Sequence, residues 1–518
     1  MTYIDSLLRE AKRTAPPKEE ETQAKAEEAA GEVAPPEDKV LVDSYEDVKI
    51  YKLPSENGYY YEVPAPRYAG EERVLIYALL DIASNIIVVD PKEAVTKEKI
   101  DKTYKEKLLQ IMEQTPELKV PINSRGFYAD VVLKEMFGFG LIDLLVKDDN
   151  LEDIMILGPA KPVYVFHRKY DMMRTNIVYY QDADVRRLID RIARNIGRRI
   201  DTQVPMLDAR LPDGTRVNAT LPPASIDGAT LTLRKFRKDP YTVIDLLDYG
   251  TVNAETAAFL WMASDGMGAK PANILIAGGT GSGKTTTLNM LCSFVPNTER
   301  VLTIEDTAEL NLPLLHWIRF ETRPPGIEGT GEITMDMLVK NTLRMRPDRI
   351  IVGEIRGAEG FTLFTAMNTG HDGSFGTVHA NSARETVTRL LAPPISVPEV
   401  MLGALSFIIV QHRINDRRKG VIRRITEIAE VTPIGDGKAE LELIYQWDAS
   451  RDVIEPTGVP PRYFQTLSNY TGLTRSVIME NLQEREKILA DLKAAGKRSI
   501  SEVCDVTQKY ILKKGRGY

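Results

Sequence analysis

"NILIAGGTGSGKTTTLNML", residues 273–291, decides how the rest of the chain is read. An apolar run ends at Gly278, and Gly278–Thr285 satisfies G-x-x-x-x-G-K-[ST]. A helical "TTTLNMLCSFV" follows, so the motif has the strand-loop-helix flanks that give it meaning. Glycines at 278, 279, 281 and 283, with Thr280 and Ser282 between them, let the backbone wrap. Successive N–H groups and the helix N-terminus then face phosphate. Lys284 is expected at the β- and γ-phosphates, the Thr285 hydroxyl on Mg²⁺, and Thr286 beside it. These residues predict a nucleoside triphosphate, taken as ATP.

Such a loop needs carboxylates on neighbouring strands. "RPDRIIVGEIRG" (346–357) ends an apolar strand in Glu354, and "RVLTIEDTAEL" (300–310) ends another in Glu305 and Asp306. In a parallel sheet these ends open onto the loop's crevice. Glu305 is favoured as the base that polarises the attacking water. Glu354, one methylene longer than aspartate, and Asp306 are expected at the metal, partly through water, or in support. "TGHDGSFGTVHANSA" (369–383) holds two of only five histidines. His379, at the end of a buried-type strand, is expected to donate an N–H to the γ-phosphate and sense its loss. His371 is read as its support, orienting the turn or meeting a neighbouring subunit. Metal binding by the pair is a poor reading, because Asp372 is their only acidic companion.

Working outward, "NILIA", "RVLTIED", "RIIVGE" and "SFGTVHA" alternate with helical segments after about residue 245, which predicts a largely parallel sheet with helices on its faces. Residues 241–518 are assigned to this domain, with a polar helical extension over the last 65 or so. Residues 44–240 mix strands ("VKIYKL", "GYYYEVPAP", "EDIMILG", "PVYVFHR") with amphipathic helices, one of them placing Leu188, Ile192 and Ile196 on one face. "LTLRKF" (231–236) is read as an exposed strand. Residues 1–43 are assigned to an acidic tail: "YIDSLLREAKR" is read as a docking helix or a frayed end, and the Pro/Glu/Ala/Lys-rich segment after it as a disordered tether.

The 518 residues are 43% apolar and 27% charged, with a net charge of −7. That balance argues against a dedicated nucleic-acid binder, which carries a basic face. No apolar run approaches the roughly 20 residues of a membrane span, and no signal-peptide core is present, so the reading is cytoplasmic with membrane association through partners. Only Cys292 and Cys504 occur, too few for a four-cysteine zinc site. The basic run "QHRINDRRKGVIRR" (411–424) reads either as a contact for acidic partner loops or as a solvated strand pair.

Taken in order, the glycine loop, "TIEDTAEL", "IIVGEIRG" and "TGHDGSFGTVHANS" resemble the Walker A, Asp, Walker B and His boxes of type II/type IV secretion ATPases. The resemblance runs over about residues 130–430, including "GLIDLLVKDDNLEDIMILGPAKPVYVFH" and "MLDARLPDGTRVNATLPPAS". It implies an α/β, RecA-like P-loop domain after a smaller α+β domain, assembled as a homohexamer. It implies arginines of the first domain at the phosphates, matched by Arg210 and Arg216 with Arg234 as a further candidate. Arg319, Arg323, Arg344 and Arg346 are candidates for reaching a neighbouring subunit's nucleotide. Without the four-cysteine insertion of bacterial type II members, the chain looks most like the archaeal motors of archaellum or pilus-like machines. The partners implied are a polytopic membrane platform protein and archaellum accessory ring proteins.

Overall fold

The computed structural model describes residues 36–515, apart from 37, 57, 67–69, 87–96, 237–238, 326–329 and 435–437. The docking-helix reading and most of the tether therefore lie outside the described residues. The chain divides after Arg237 into two units.

The first unit is built on one sheet. Its strands are β1 (Val40–Tyr45), β2 (Val48–Leu53), β3 (Gly58–Glu62), β4 (Leu151–Ile156), β5 (Pro162–His167), β6 (Asp171–Val178), β7 (Met206–Arg210), β8 (Arg216–Thr220) and β9 (Thr230–Arg234). They lie in the order β1-β2-β3-β6-β5-β4-β9-β8-β7. Helix Asp182–Asn195 buries Val185, Leu188, Ile189 and Ile192 against the same core as Leu231, Leu233 and Val165. Helix Arg125–Phe137 stops at Gly138, which is extended, and α-helix resumes at Asp143–Lys147. β9 corrects the exposed-strand reading. It lies between β4 and β8, with Leu231 and Leu233 buried and Thr230, Thr232 and Arg234 alternating with them on the less buried face.

A polar cluster sits inside this unit. The Asp148 carboxylate accepts from the hydroxyls of Tyr45 (2.7 Å) and Tyr61 (2.6 Å). His167 is buried beside them, and its Nδ1 accepts the backbone N–H of Lys169 (3.0 Å) and Tyr170 (3.3 Å). An Nδ1 that accepts carries no proton, so the ring is neutral here. Burial holds its pKa below the ordinary 6.5, against the pull of Asp148 and Asp43. A depressed folded pKa means the unfolded chain takes the proton first, so stability is lost as pH falls below about 6.5. The melting temperature of the unit carrying His167 is expected to fall more steeply on acidification than that of His167→Gln. Parallel slopes in a pH series of thermal melts would contradict this.

The second unit carries β10 (Ile274–Ala277), β11 (Val301–Glu305), β12 (Trp317–Glu321), β13 (Arg349–Ile355), β14 (Phe375–Val378), β15 (Phe407–Asp416), β16 (Gly420–Ile434), β17 (Lys438–Asp448) and β18 (Val453–Pro456), in the order β12-β11-β13-β14-β10-β15-β16-β17-β18. Strands β12 to β15 pair in parallel, and β16 to β18 add antiparallel. Both faces are covered. Ile274 and Ile276 point into one core and Leu275 and Ala277 into another, so β10 is apolar at every position.

The helices after residue 462 are less polar than their sequence suggests. Ile478, Leu482, Leu489 and Leu492 of helix Arg475–Ala494 belong to the same core as Phe259 and Trp261 of helix Ala254–Asp265. Arg485 donates to Asp265 at 2.6 Å, both side chains being buried, and its guanidinium lies over the Trp261 ring. Removing either partner would strand a buried charge.

Candidate nucleotide site

The loop Gly278–Gly283 joins β10 to helix Lys284–Ser293. Gly283 caps that helix at φ 95°, a backbone that L side chains rarely adopt, and a Cβ there would stand 2.9 Å from the Gln411 amide. Lys284 folds back along the loop, its Nζ donating to the carbonyls of Gly278 (2.9 Å) and Gly279 (3.0 Å). Burial holds the Lys284 ammonium below its ordinary pKa, with Glu354 pulling the other way. Thr285 and Thr286 lie on the first helical turn, half-buried, and Thr280 is exposed. Ser282 turns inward to the carbonyl of Gly279.

Three carboxylates gather at the C-terminal ends of the strands beyond this loop. Strand β13 shifts register between Val352 and Ile355 against β14, a bulge that holds Gly353 and Glu354. Bulges re-aim side chains beside sites. Here the Thr377 hydroxyl fixes the bulged backbone by donating to the Gly353 carbonyl at 2.6 Å. Glu354 pairs with Arg356, whose other amino group reaches Asp306 at 3.2 Å. Glu305 lies beneath, only 3% exposed. Its Oε2 accepts the N–H groups of Glu309 (2.8 Å) and Leu310 (3.0 Å), while Oε1 has no hydrogen-bond partner. Burial raises its pKa to about 7, against those two N–H donors. Its side chain passes over Gly353, where a Cβ would come within 2.9 Å of the Glu305 Cγ.

His379 follows the last residue of β14, with Nε2 3.0 Å from the Glu354 Oε1. That contact is close without being aligned as a hydrogen bond, for Glu354 Oε1 has no hydrogen-bond partner. Burial, then the Lys284 cation, depress the His379 pKa, so the imidazole is neutral near pH 7. The donor set fits a triphosphate with Mg²⁺. A turn of backbone N–H groups and a lysine face two acceptor-only carboxylates and a threonine hydroxyl, all hard oxygen ligands, and two carboxylate oxygens lack partners.

Residues 138–432 match the model of the type II/IV secretion system protein family. The chain belongs to that family. It is 34% identical over 545 aligned positions to the uncharacterized protein MJ0781 of Methanocaldococcus jannaschii, an alignment that covers 72% of this chain and 75% of that protein. Among solved structures it is similar to the VirB11 ATPase of the Brucella suis type IV secretion system (24% identity, 57% of this chain and 93% of that one, TM-score 0.29). It is also similar to the Legionella pneumophila ATPase DotB (19% identity, 71% and 89%, TM-score 0.37). The fold is α/β, with a mostly parallel sheet in its second unit.

Against that family background the remaining expected residues divide. Arg210, Arg216 and Arg234 stand in one row of the first unit's sheet. Arg210 of β7 is the register partner of Arg216 of β8, which partners Arg234 of β9, which partners Asp153 of β4. Of the second set, Arg319 donates to the Leu310 carbonyl and lies over Trp317, and Arg323 donates to the Gly331 carbonyl. His371 sits on the turn expected of it, but away from His379. It precedes β14 while His379 follows it, so the two stand at opposite ends of the strand. His371 Nδ1 is 3.3 Å from the Ala366 carbonyl, and Asp372 pairs with Lys270 at 2.6 Å, anchoring the turn away from the crevice. Cys292 and Cys504 are both buried.

Two residues of the site went unread in the sequence. Arg356 ties Glu354 to Asp306, and its place two residues after Glu354, on the same side of an extended strand, is a signal that could have found it. Gln411 accepts the Thr287 hydroxyl at 2.5 Å behind the loop. Nothing local marks it, because it arrives from β15.

Proposed function

We propose that this chain is a hexameric Mg²⁺-dependent ATPase that powers assembly of an archaellum or type IV pilus-like filament at the cytoplasmic membrane, and rotation in the archaellum case. The single observation that carries the reading is the convergence of Lys284, Glu354, Asp306, Glu305 and His379 around one glycine loop in a member of the secretion family. Mg²⁺, held by Thr285, Glu354 and in part Asp306, would neutralise charge on the transferred phosphoryl group. The loop N–H groups from Gly278 to Thr286 cradle the phosphates, and Lys284 sets its charge against their outer oxygens. Glu305, with one oxygen pinned by two N–H groups and one without a partner, receives the proton of the attacking water. His379, being neutral, donates to the γ-phosphate and loses that acceptor after hydrolysis. Arg210, Arg216 and Arg234 occupy register-paired positions on neighbouring strands of the first unit's sheet, and they are the residues proposed to meet an anion. In the hexamer that anion is the triphosphate.

The archaeal reading draws on the similarity to the Methanocaldococcus protein and on a cysteine count too low for a zinc module. In it the motor works from the cytoplasm against a polytopic membrane platform protein and archaellum accessory ring proteins. Among the described residues no helix is long and apolar enough to cross a membrane. The test is a steady-state assay of the purified chain with native mass spectrometry. Mg²⁺-dependent turnover by six-copy particles is expected. Absence of turnover in the hexamer would sink the proposal, and turnover that depends on added DNA would move the chain to a nucleic-acid motor.

A further inference from the structure

The basic run "QHRINDRRKGVIRR" does not form one surface. It is the hairpin of β15 and β16, and its arginines go to different places. Arg424 is buried, pairs with Asp452 at 2.6 Å and donates to the Tyr249 carbonyl. Arg413 and Arg423 are register partners across the hairpin, two exposed like charges directly opposite each other. Among the described residues neither has a carboxylate partner. Both stand at the glycine loop. Arg423 Nε donates to the Gly281 carbonyl at 2.9 Å, and a Cβ on Gly281 would lie 3.7 Å from an Arg413 amino group.

Sheet order says which end of a nucleotide they meet. Glu354 and His379 come from β13 and β14, on one flank of β10, and mark the γ-phosphate side. Strand β15 lies on the other flank, pairing Ala277 with Val410, and it continues past the loop to Arg413. A nucleotide laid along the loop, with its γ-phosphate at the carboxylates, has its α-phosphate and ribose toward β15. From this we infer that Arg413 and Arg423 form a guanidinium clamp on the α-phosphate end of the bound nucleotide. They act as affinity residues on the side away from the bond that breaks. The anion relieves the repulsion between two arginines that have no carboxylate partner among the described residues, and the Arg423 bond to Gly281 makes the clamp part of the loop.

The inference rests on the proposed ATPase reading. It predicts that Arg413→Gln and Arg423→Gln each weaken ADP and ATP by the same factor, about tenfold, as the loss of one charge-assisted bond shared by both nucleotides. The loss appears in KM rather than in kcat, and Arg413→Lys recovers part of it. Fluorescence titration with labelled ADP, ATP competition and steady-state kinetics on the full chain measure this, with thermal melts to establish that the variants fold. Unchanged affinities in folded variants would overturn it, as would a loss confined to ATP, which would place the arginines at the γ-phosphate. If Lys284→Ala loses nucleotide while both arginine variants keep it, the clamp fails and the ATPase reading stands. If the wild type binds no nucleotide, both fail.

Discussion

Lys284→Ala is expected to reduce ATP turnover by about 10²–10³-fold, to background in an ordinary phosphate-release assay. The ammonium lies along the glycine loop, held on the Gly278 and Gly279 carbonyls and half-desolvated before any ligand arrives. A charge fixed in a low-dielectric pocket needs no reorganisation when phosphate charge shifts toward the leaving oxygen, and that is where a preorganised cation is most effective. The substitution takes away two part-buried hydrogen bonds and with them a half-desolvated charge, so the thermal melt should move little. A control separates roles: Lys284→Arg keeps a charge but not its point geometry, and is expected to bind nucleotide with turnover still far below wild type. Full turnover by folded Lys284→Ala hexamers would remove the loop from the chemistry and with it the proposed function.

How legible the site was in the sequence follows from what each part depends on. Strands β10, β11, β13 and β14 read correctly because both their faces are buried, so burial writes a continuous apolar run. Strands β7 and β8, "MLDAR" and "RVNAT", have one face outward and few apolar residues, and they did not stand out. Their arginines were found by resemblance. That the three line up in one row with Asp153 is a matter of register, which no single strand carries. The two histidines illustrate the same limit. Seven residues separate them in sequence, but four of those form β14, so the strand's length carries them to opposite ends. The basic run is the strand pair of one of its two readings, but its density of charge did not tell that the fold divides it between a buried pair at Asp452 and the flank of the glycine loop. Local composition reports how charged a segment is, and tertiary pairing decides what the charges face.

The second large effect is expected at Glu305. Glu305→Gln should lower kcat by about 10²–10⁴-fold, the span of a lost general base, with ATP affinity nearly unchanged. Two observations separate this carboxylate from Glu354 and Asp306. Those two are tied to Arg356, whereas Glu305 is buried with one oxygen pinned by backbone N–H groups and one without a hydrogen-bond partner. Burial brings its pKa to about 7, where a base is best matched to neutral pH. The sign of the pH dependence follows. The ionised form is the active one, so wild-type kcat should rise through about pH 7 and level above it. Because the folded pKa is raised, the same ionisation costs stability as pH climbs past the unfolded value, and Glu305→Gln should melt at least as high as wild type in alkaline buffer. Gln keeps an acceptor for Glu309 and Leu310, so the loop geometry persists while the base is gone. The pH–rate profile is therefore the decisive measurement. If the residual activity of Glu305→Gln kept the same acid limb near pH 7, the base would be another group.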